Sequence, residues 1–170
     1  MRSLRLCARC LLFLAYPVLE NLMLTIKSIE AISKQAGAEY PSECCGIVTG
    51  TASAQRVHPC RNRQDELHAI DPERHPRTSR EAYDIDRNEM ESIFADAAAK
   101  GEQVVCFYHS HIDCGAYFSK MDKEVLTVFG EPELPGAVHV VVSVRDRQVN
   151  EISGYLWNEK NQDFVTVKVP

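Results

Sequence analysis

The run Val138-His139-Val140-Val141-Val142-Ser143-Val144 is dense in β-branched residues, the pattern of a central strand. A sheet with such a strand needs cover, and the rest of the chain supplies it. Ile26, Ile29, Ile32 and Ala36 recur at helical spacing after Thr25, with Gly37 where a left-handed cap would end the helix. Asp86 followed by Glu89 forms a variant capping box, and Met90, Ile93, Phe94, Ala97 and Ala98 continue one apolar face until Gly101. Ser119 to Phe129 is expected as a further helix.

Between these helices lie more strands. Pro41 breaks the chain, and Cys44 to Gly50 reads as a buried strand closed by Gly50, with residues 55–60 returning beside it. Gln103 to Tyr108 forms a strand that delivers the chain to His109. Segments near 151–157 and 163–169 flank the turn Asn158-Glu159-Lys160-Asn161. Residues 61–80, rich in Arg, Asp, Glu, His and Pro, carry no sustained period and read as an exposed loop. Helices interspersed among strands predict an α/β layered domain with a mixed sheet.

At 170 residues, 45% hydrophobic and 25% charged, the chain supports one sizeable core, so one domain is expected. A formal charge of −5 leaves no basic excess to neutralise phosphates and disfavours nucleic acid as a partner. Cys7, Cys10, Cys44, Cys45, Cys60, Cys106 and Cys114 are an odd set without framework spacing. They read as free thiols in a reducing compartment, and so as a cytoplasmic chain. Cys7 and Cys10 lack the two further ligands that a structural zinc site needs. Cys44 and Cys45 are adjacent, so on a strand they point to opposite faces.

Residues 1–22 stand apart as an N-terminal extension, basic and then apolar. Arg2, Arg5 and Arg9 precede the apolar run Leu11 to Leu19, which is too short for a membrane-spanning helix of about 20 residues. It resembles a signal peptide, but no small-x-small cleavage site follows before Glu20 and Asn21; the other reading is an upstream extension or mis-assigned start. The domain is taken as 23–170, with no membrane partner expected.

The chemistry concentrates in one stretch. His109 and His111 are two apart at the end of a strand and share a face, so two imidazoles can aim at one point. Gly115 permits the following loop to turn. Ser119, with Asp122 three residues on, sits where a helix starts, and Asp122 can swing its carboxylate back to the histidines. Two imidazoles and a carboxylate suit zinc with a fourth position open to water, the pattern of a catalytic site. Bound zinc lowers the pKa of water to about 7, and a nearby carboxylate is still needed to relay the proton. Glu43, apparently exposed at the edge of the strand beginning at Cys44, is the candidate. Each feature alone has a bland reading: a surface histidine pair, a helix cap, a lone acid. Together their spacing agrees with one pattern.

In that pattern the chain resembles the JAMM, or MPN-plus, metalloprotease family. His109-Ser110-His111, seven residues, Ser119, two residues and Asp122 match the motif without a gap, and Glu43 in Pro41-Ser42-Glu43-Cys44-Cys45-Gly46 matches its upstream acid. The resemblance covers roughly residues 23–157. It implies an MPN/JAMM-like fold of the cytidine-deaminase-like layered kind and zinc-dependent hydrolysis of a peptide or isopeptide bond. His109, His111 and Asp122 would be ligands, Glu43 the proton shuttle, and Ser119 a hydrogen-bond donor to the oxyanion; Ser110 would be structural. The compact form looks like bacterial members that trim the C-terminus of ubiquitin-like sulfur-carrier proteins or release cysteine from them, so a ubiquitin-like or sulfur-carrier protein is the expected partner. A non-catalytic interaction scaffold on the same fold is the alternative. A zinc deaminase is not, because its His-x-Glu and Pro-Cys-x-x-Cys are absent. Arg77, Arg80 and Tyr83 are candidates for recognising a substrate tail, and His139 reads as a satisfied core histidine.

Overall fold

The computed structural model describes residues 23–128, 131–132 and 134–170. The extension 1–22, with Cys7 and Cys10, and Phe129 lie outside the described residues. Helix α1 (Ile26–Glu39) begins at Thr25, whose hydroxyl accepts from the Ser28 amide, and buries Ser28, Ile29, Ile32 and Ala36. Gly37 does not end it. The glycine is there because a Cβ would stand 2.7 Å from the Arg147 carbonyl oxygen, so the helix can lie against a strand turn.

Strands β1 (Cys45–Gly50), β2 (Gln55–Cys60), β3 (Gln103–Ile112), β6 (Val138–Arg145), β7 (Gln148–Asn158) and β8 (Asp163–Val167) form one sheet in the order β2-β1-β3-β6-β7-β8. β4 (Thr127–Val128) and β5 (Glu131–Pro132) make a separate two-stranded ribbon. Only β3 and β6 run parallel within the six-stranded sheet. The chain crosses between them through α4 (Lys120–Leu126), as parallel neighbours require. The fold is thus the expected mixed sheet with flanking helices.

Each face has its own core, and the strand period divides the residues between them. Ile29, Ile32, Ala36, Cys44, Val48, Tyr108, Val140 and Val142 pack beneath α1. Cys45, Ile47 and Cys60 pack with Met90, Ile93, Phe94 and Phe107 beneath α3 (Arg87–Ala99), whose N-cap Asp86 accepts from the Asn88 and Glu89 amides. Ala98 is exposed rather than part of that apolar face. Cys44 and Cys45 do fall on opposite faces.

Three further expectations are corrected. Residues 61–80 are not all loop: α2 (Gln64–Ile70) forms there, with Asp65 and Glu66 at its positively polarised first turn. About two turns of helix leave too short a window for an apolar period to register. Helix α4 stops at Leu126, where the Thr127 hydroxyl bonds the Lys123 carbonyl (2.9 Å) and the chain turns extended. His139 is buried as expected but not satisfied: its Nδ1 has no partner among the described residues. It stacks on Phe107 and packs on Phe118 and Phe164, and burial pushes it down to about 3, which keeps it neutral.

Among the described residues no helix is long and apolar enough to cross a membrane. The five described cysteines are free; Cys44, Cys45, Cys60 and Cys106 are buried and Cys114 is half-buried. Burial pushes Cys44 and Cys60 up to about 12 and raises Cys45 and Cys106 as well. Because the thiolate is the reactive form, alkylation of the native protein followed by peptide mapping is expected to modify Cys114 at least about tenfold faster than these four. Equal rates would contradict the core described above.

Candidate metal centre

β3 carries His109, Ser110 and His111 between its neighbours β1 and β6, with His109 opposite Cys45 on one side and Val141 on the other. Both histidines are buried, at 3% and 6% exposure. Ser110 faces the other way, where its hydroxyl accepts from the Cys44 amide (2.8 Å) and ties β3 to the segment bearing Glu43. The chain then reverses over residues 113–118. Asp113, not Gly115, holds the left-handed conformation (φ 57°). Its carboxylate accepts from the Tyr40 hydroxyl, and its carbonyl from Arg145. This loop is pinned further by Tyr155, whose hydroxyl donates to the Ala116 carbonyl (2.8 Å), and by Glu151, which accepts from the Ala116 amide.

Ser119 caps α4 reciprocally. Its hydroxyl accepts from the Asp122 amide (3.1 Å), while the Asp122 carboxylate accepts from the Ser119 amide (2.7 Å). This capping box also holds the carboxylate toward the histidines. His109 Nε2 lies 3.3 Å from Asp122 Oδ1, His111 Nε2 3.7 Å from Asp122 Oδ2, and the two Nε2 atoms 3.2 Å apart. His111 Nδ1 is 3.0 Å from the Gly115 carbonyl oxygen, an anchor that turns Nε2 toward the cluster.

The donor set fits a tetrahedral cation. Bonds of about 2.0–2.1 Å to zinc place neighbouring donors about 3.3 Å apart, close to the observed separations. Buried imidazole and carboxylate donors so near one another match a catalytic zinc site in which three protein ligands leave a position open. The electrostatics agree. Burial opposes the charge on Asp122, but hydrogen bonds from His109 and His111 hold its carboxyl well below the usual range. Burial lowers His109. It also acts to lower His111, whose bonds to Asp122 and Gly115 win and raise it.

Glu43 sits just before β1. It is not exposed, as its place beside a turn suggested, but 5% accessible. Its amide donates to the Ser79 carbonyl (2.6 Å) and its carbonyl accepts from Asn62 (3.0 Å), so the backbone is gripped from both sides. Its carboxylate makes no hydrogen bond or ion pair among the described residues and borders a cavity of about 380 Å³ together with His111, Ser119 and Asp122. Burial pushes it up to about 8 against the charge of His111. Glu43, His111, Ser119 and Asp122 thus line one cavity, and His109 joins them in the donor cluster, while Ser110 lies on the opposite face. Sequence reasoning did not reveal that Tyr83, which lines the same cavity, also stacks on His109 with ring centroids 4.5 Å apart. Tyr117 meets His111 edge-on at 5.0 Å.

The family of prokaryotic homologs of the JAB domain matches residues 25–159. The chain belongs to this family. The JAB-domain chain is 37% identical over 97 residues to tail tip assembly protein K of Escherichia phage N15, covering 57% of this chain but only 33% of the phage protein. It is 29% identical over 132 residues to the CysO-cysteine peptidase of Mycobacterium tuberculosis, covering 75% of this chain and 76% of the relative. It is also 31% identical over 111 residues to the desampylase of Haloferax volcanii, covering 64% and 67%. The solution structure of a Desulfitobacterium hafniense protein shares the fold, with a TM-score of 0.62 at 19% identity over 87% of this chain and 90% of that one. Relatives named as a peptidase and a desampylase support a hydrolase.

Zinc-supplied protein is expected to hold about one ion per chain by elemental analysis, and Asp122→Asn far less. With free zinc about 100-fold above its Kd, binding stabilises by about 2.7 kcal/mol. Chelation should then lower the melting temperature by roughly 5–10 °C for a chain of this size. A melt indifferent to chelator would argue against the metal centre.

Proposed function

We propose that the chain is a zinc-dependent hydrolase of an amide bond at the C-terminus of a ubiquitin-like or sulfur-carrier protein. The observation that carries the reading is the set of donor separations among His109, His111 and Asp122, 3.2 to 3.7 Å, with Glu43 on the wall of the same cavity. The names of two relatives, a CysO-cysteine peptidase and a desampylase, support the substrate class.

His109, His111 and Asp122 would hold the zinc. Zinc held there would supply Lewis acidity toward a carbonyl oxygen and toward water. Glu43 accepts the proton of that water and passes it to the departing amine. A carboxyl that burial has lifted to about 8 has a proton affinity near neutrality, where a single group can both take and release a proton. Ser119 spends only an acceptor lone pair on the Asp122 amide, which leaves its hydroxyl proton free to bond the oxyanion of the tetrahedral intermediate. Asp122 serves twice, as ligand and as the acceptor that fixes Ser119. The stacked Tyr83 and the edge of Tyr117 keep the two imidazoles from turning.

Glu43→Gln tests this directly. The variant is expected to retain about one zinc per chain while the rate of hydrolysis, followed by mass spectrometry of a carrier protein extended beyond Gly-Gly, falls roughly 10²–10⁴-fold. A scaffold would bind no zinc and have no activity to lose. Full activity in the variant would remove Glu43 from the mechanism.

A further inference from the structure

One peptide group links the donor cluster to a strand that carries none of its donors. The carbonyl oxygen of the Gly115–Ala116 peptide lies 3.0 Å from His111 Nδ1, and the amide of that same peptide donates to Glu151 Oε2 on β7 (3.2 Å). A trans peptide, as this one is, is planar, and its C=O and N–H point in opposite directions. Glu151 and His111 therefore stand at the two ends of one rigid unit, and turning it away from one turns it away from the other.

The peptides on either side are held as well. Ser143 donates to the Cys114 carbonyl, and Tyr155 donates to the Ala116 carbonyl (2.8 Å). These side chains form one cradle: Ser143 pairs with Glu151 across β6 and β7, and Glu151 and Tyr155, four apart on β7, share a face. Ala116 is 2% exposed, so losing a partner leaves its backbone group unpaired at a cost. Tyr155 also reaches the carboxylate branch of the cluster. Its ring stacks on Phe118 with centroids 4.8 Å apart, and Phe118 directly precedes Ser119, whose capping box aims Asp122.

The bonding pattern says what the cradle does. A carbonyl oxygen only accepts, so its contact with His111 calls for a proton on Nδ1. In the neutral ring the lone pair is then on Nε2, the atom that faces Asp122 and His109. A partner on the outer nitrogen fixes the orientation and tautomer of a metal-ligating histidine, and losing it costs about 10- to 100-fold in metal affinity. Here that partner is the oxygen of a loop peptide, whose direction must itself be held from the far end.

Resting on the metal centre of the hydrolase proposed above, we infer that Glu151 and Tyr155 are positioning residues for His111. Acting through the Gly115–Ala116 peptide, they set the direction of Nε2 and with it the affinity for zinc. Glu151 does this as a hydrogen-bond acceptor, not through its charge.

The test reads metal affinity instead of turnover. Zinc is titrated into the full chain and its variants in competition with a chelating dye, and the visible absorption of the cobalt(II)-loaded forms is a second readout. Glu151→Ala is expected to weaken zinc about 10- to 100-fold. Tyr155→Phe, which keeps the ring for Phe118, should weaken it several-fold, and both should change the cobalt spectrum. Glu151→Gln still offers the Ala116 amide an acceptor and should stay within about threefold of wild type. Tyr40→Phe releases the Asp113 side chain of the same loop but neither peptide group of Ala116, and should also stay close to wild type. A misfolded fraction lowers the number of sites filled and leaves the dissociation constant of the folded remainder unchanged. Wild-type affinity in Glu151→Ala, equal weakening by Gln and Ala at 151, or the same loss in Tyr40→Phe each overturns the inference while the hydrolase reading stands. Wild type that binds no zinc overturns both. Affinities that follow the expected order in a protein that cleaves no carrier uphold the inference and remove the hydrolase reading alone.

Discussion

Three electron-pair donors share one buried point at the end of β3, and water is largely kept from them. Polar groups so placed destabilise a fold unless each finds a partner. The surrounding structure can be understood as the means of holding them converged. β3 lies between β1 and β6, so neither histidine can leave its face of the sheet. Aromatic rings close over both imidazoles. The carboxylate is set by the first turn of α4, where the Ser119 and Asp122 amides and side chains satisfy one another. A capping box normally only starts a helix; this one also aims a charged group.

The acid that stands across the cleft is held differently. Glu43 has no partner for its carboxylate among the described residues, and its precision comes from its backbone, bonded to Ser79 on one side and Asn62 on the other. Free side chain and fixed main chain together suit the proton relay proposed for Glu43. Burial supplies the remaining ingredient by raising its proton affinity.

Much of this could be read from the sequence because the motif is local. Strand alternation brings His109 and His111 to one face, and the Ser119 to Asp122 spacing is that of a helix start, so both halves are visible in a window of fourteen residues. The central strand at Val138 to Val144 and the mixed α/β order also survived in the structure. What could not be read depends on distant partners. Glu43 is held by backbone bonds to Ser79 and Asn62, which are far along the chain. The stacking of Tyr83 on His109 spans 26 positions. Gly115 suggested a turn by composition alone, yet Asp113 makes it, because Tyr40 and Arg145 secure its side chain and carbonyl. Helix α2 was hidden by its brevity, and His139 looked satisfied because a sequence records a buried ring but not the direction of its nitrogens.

The fastening of residues 77–83 has an evolutionary corollary. Its bonds run to Asn62, Gln64 and Asp65 on one side and to Glu43 on the other. Both ends of the largely exposed span 71–76 are therefore moored independently of what lies between. Descendants of this chain can lengthen, shorten or recolour that span, and so reshape the rim, while the residues that line the cavity beneath keep their alignment.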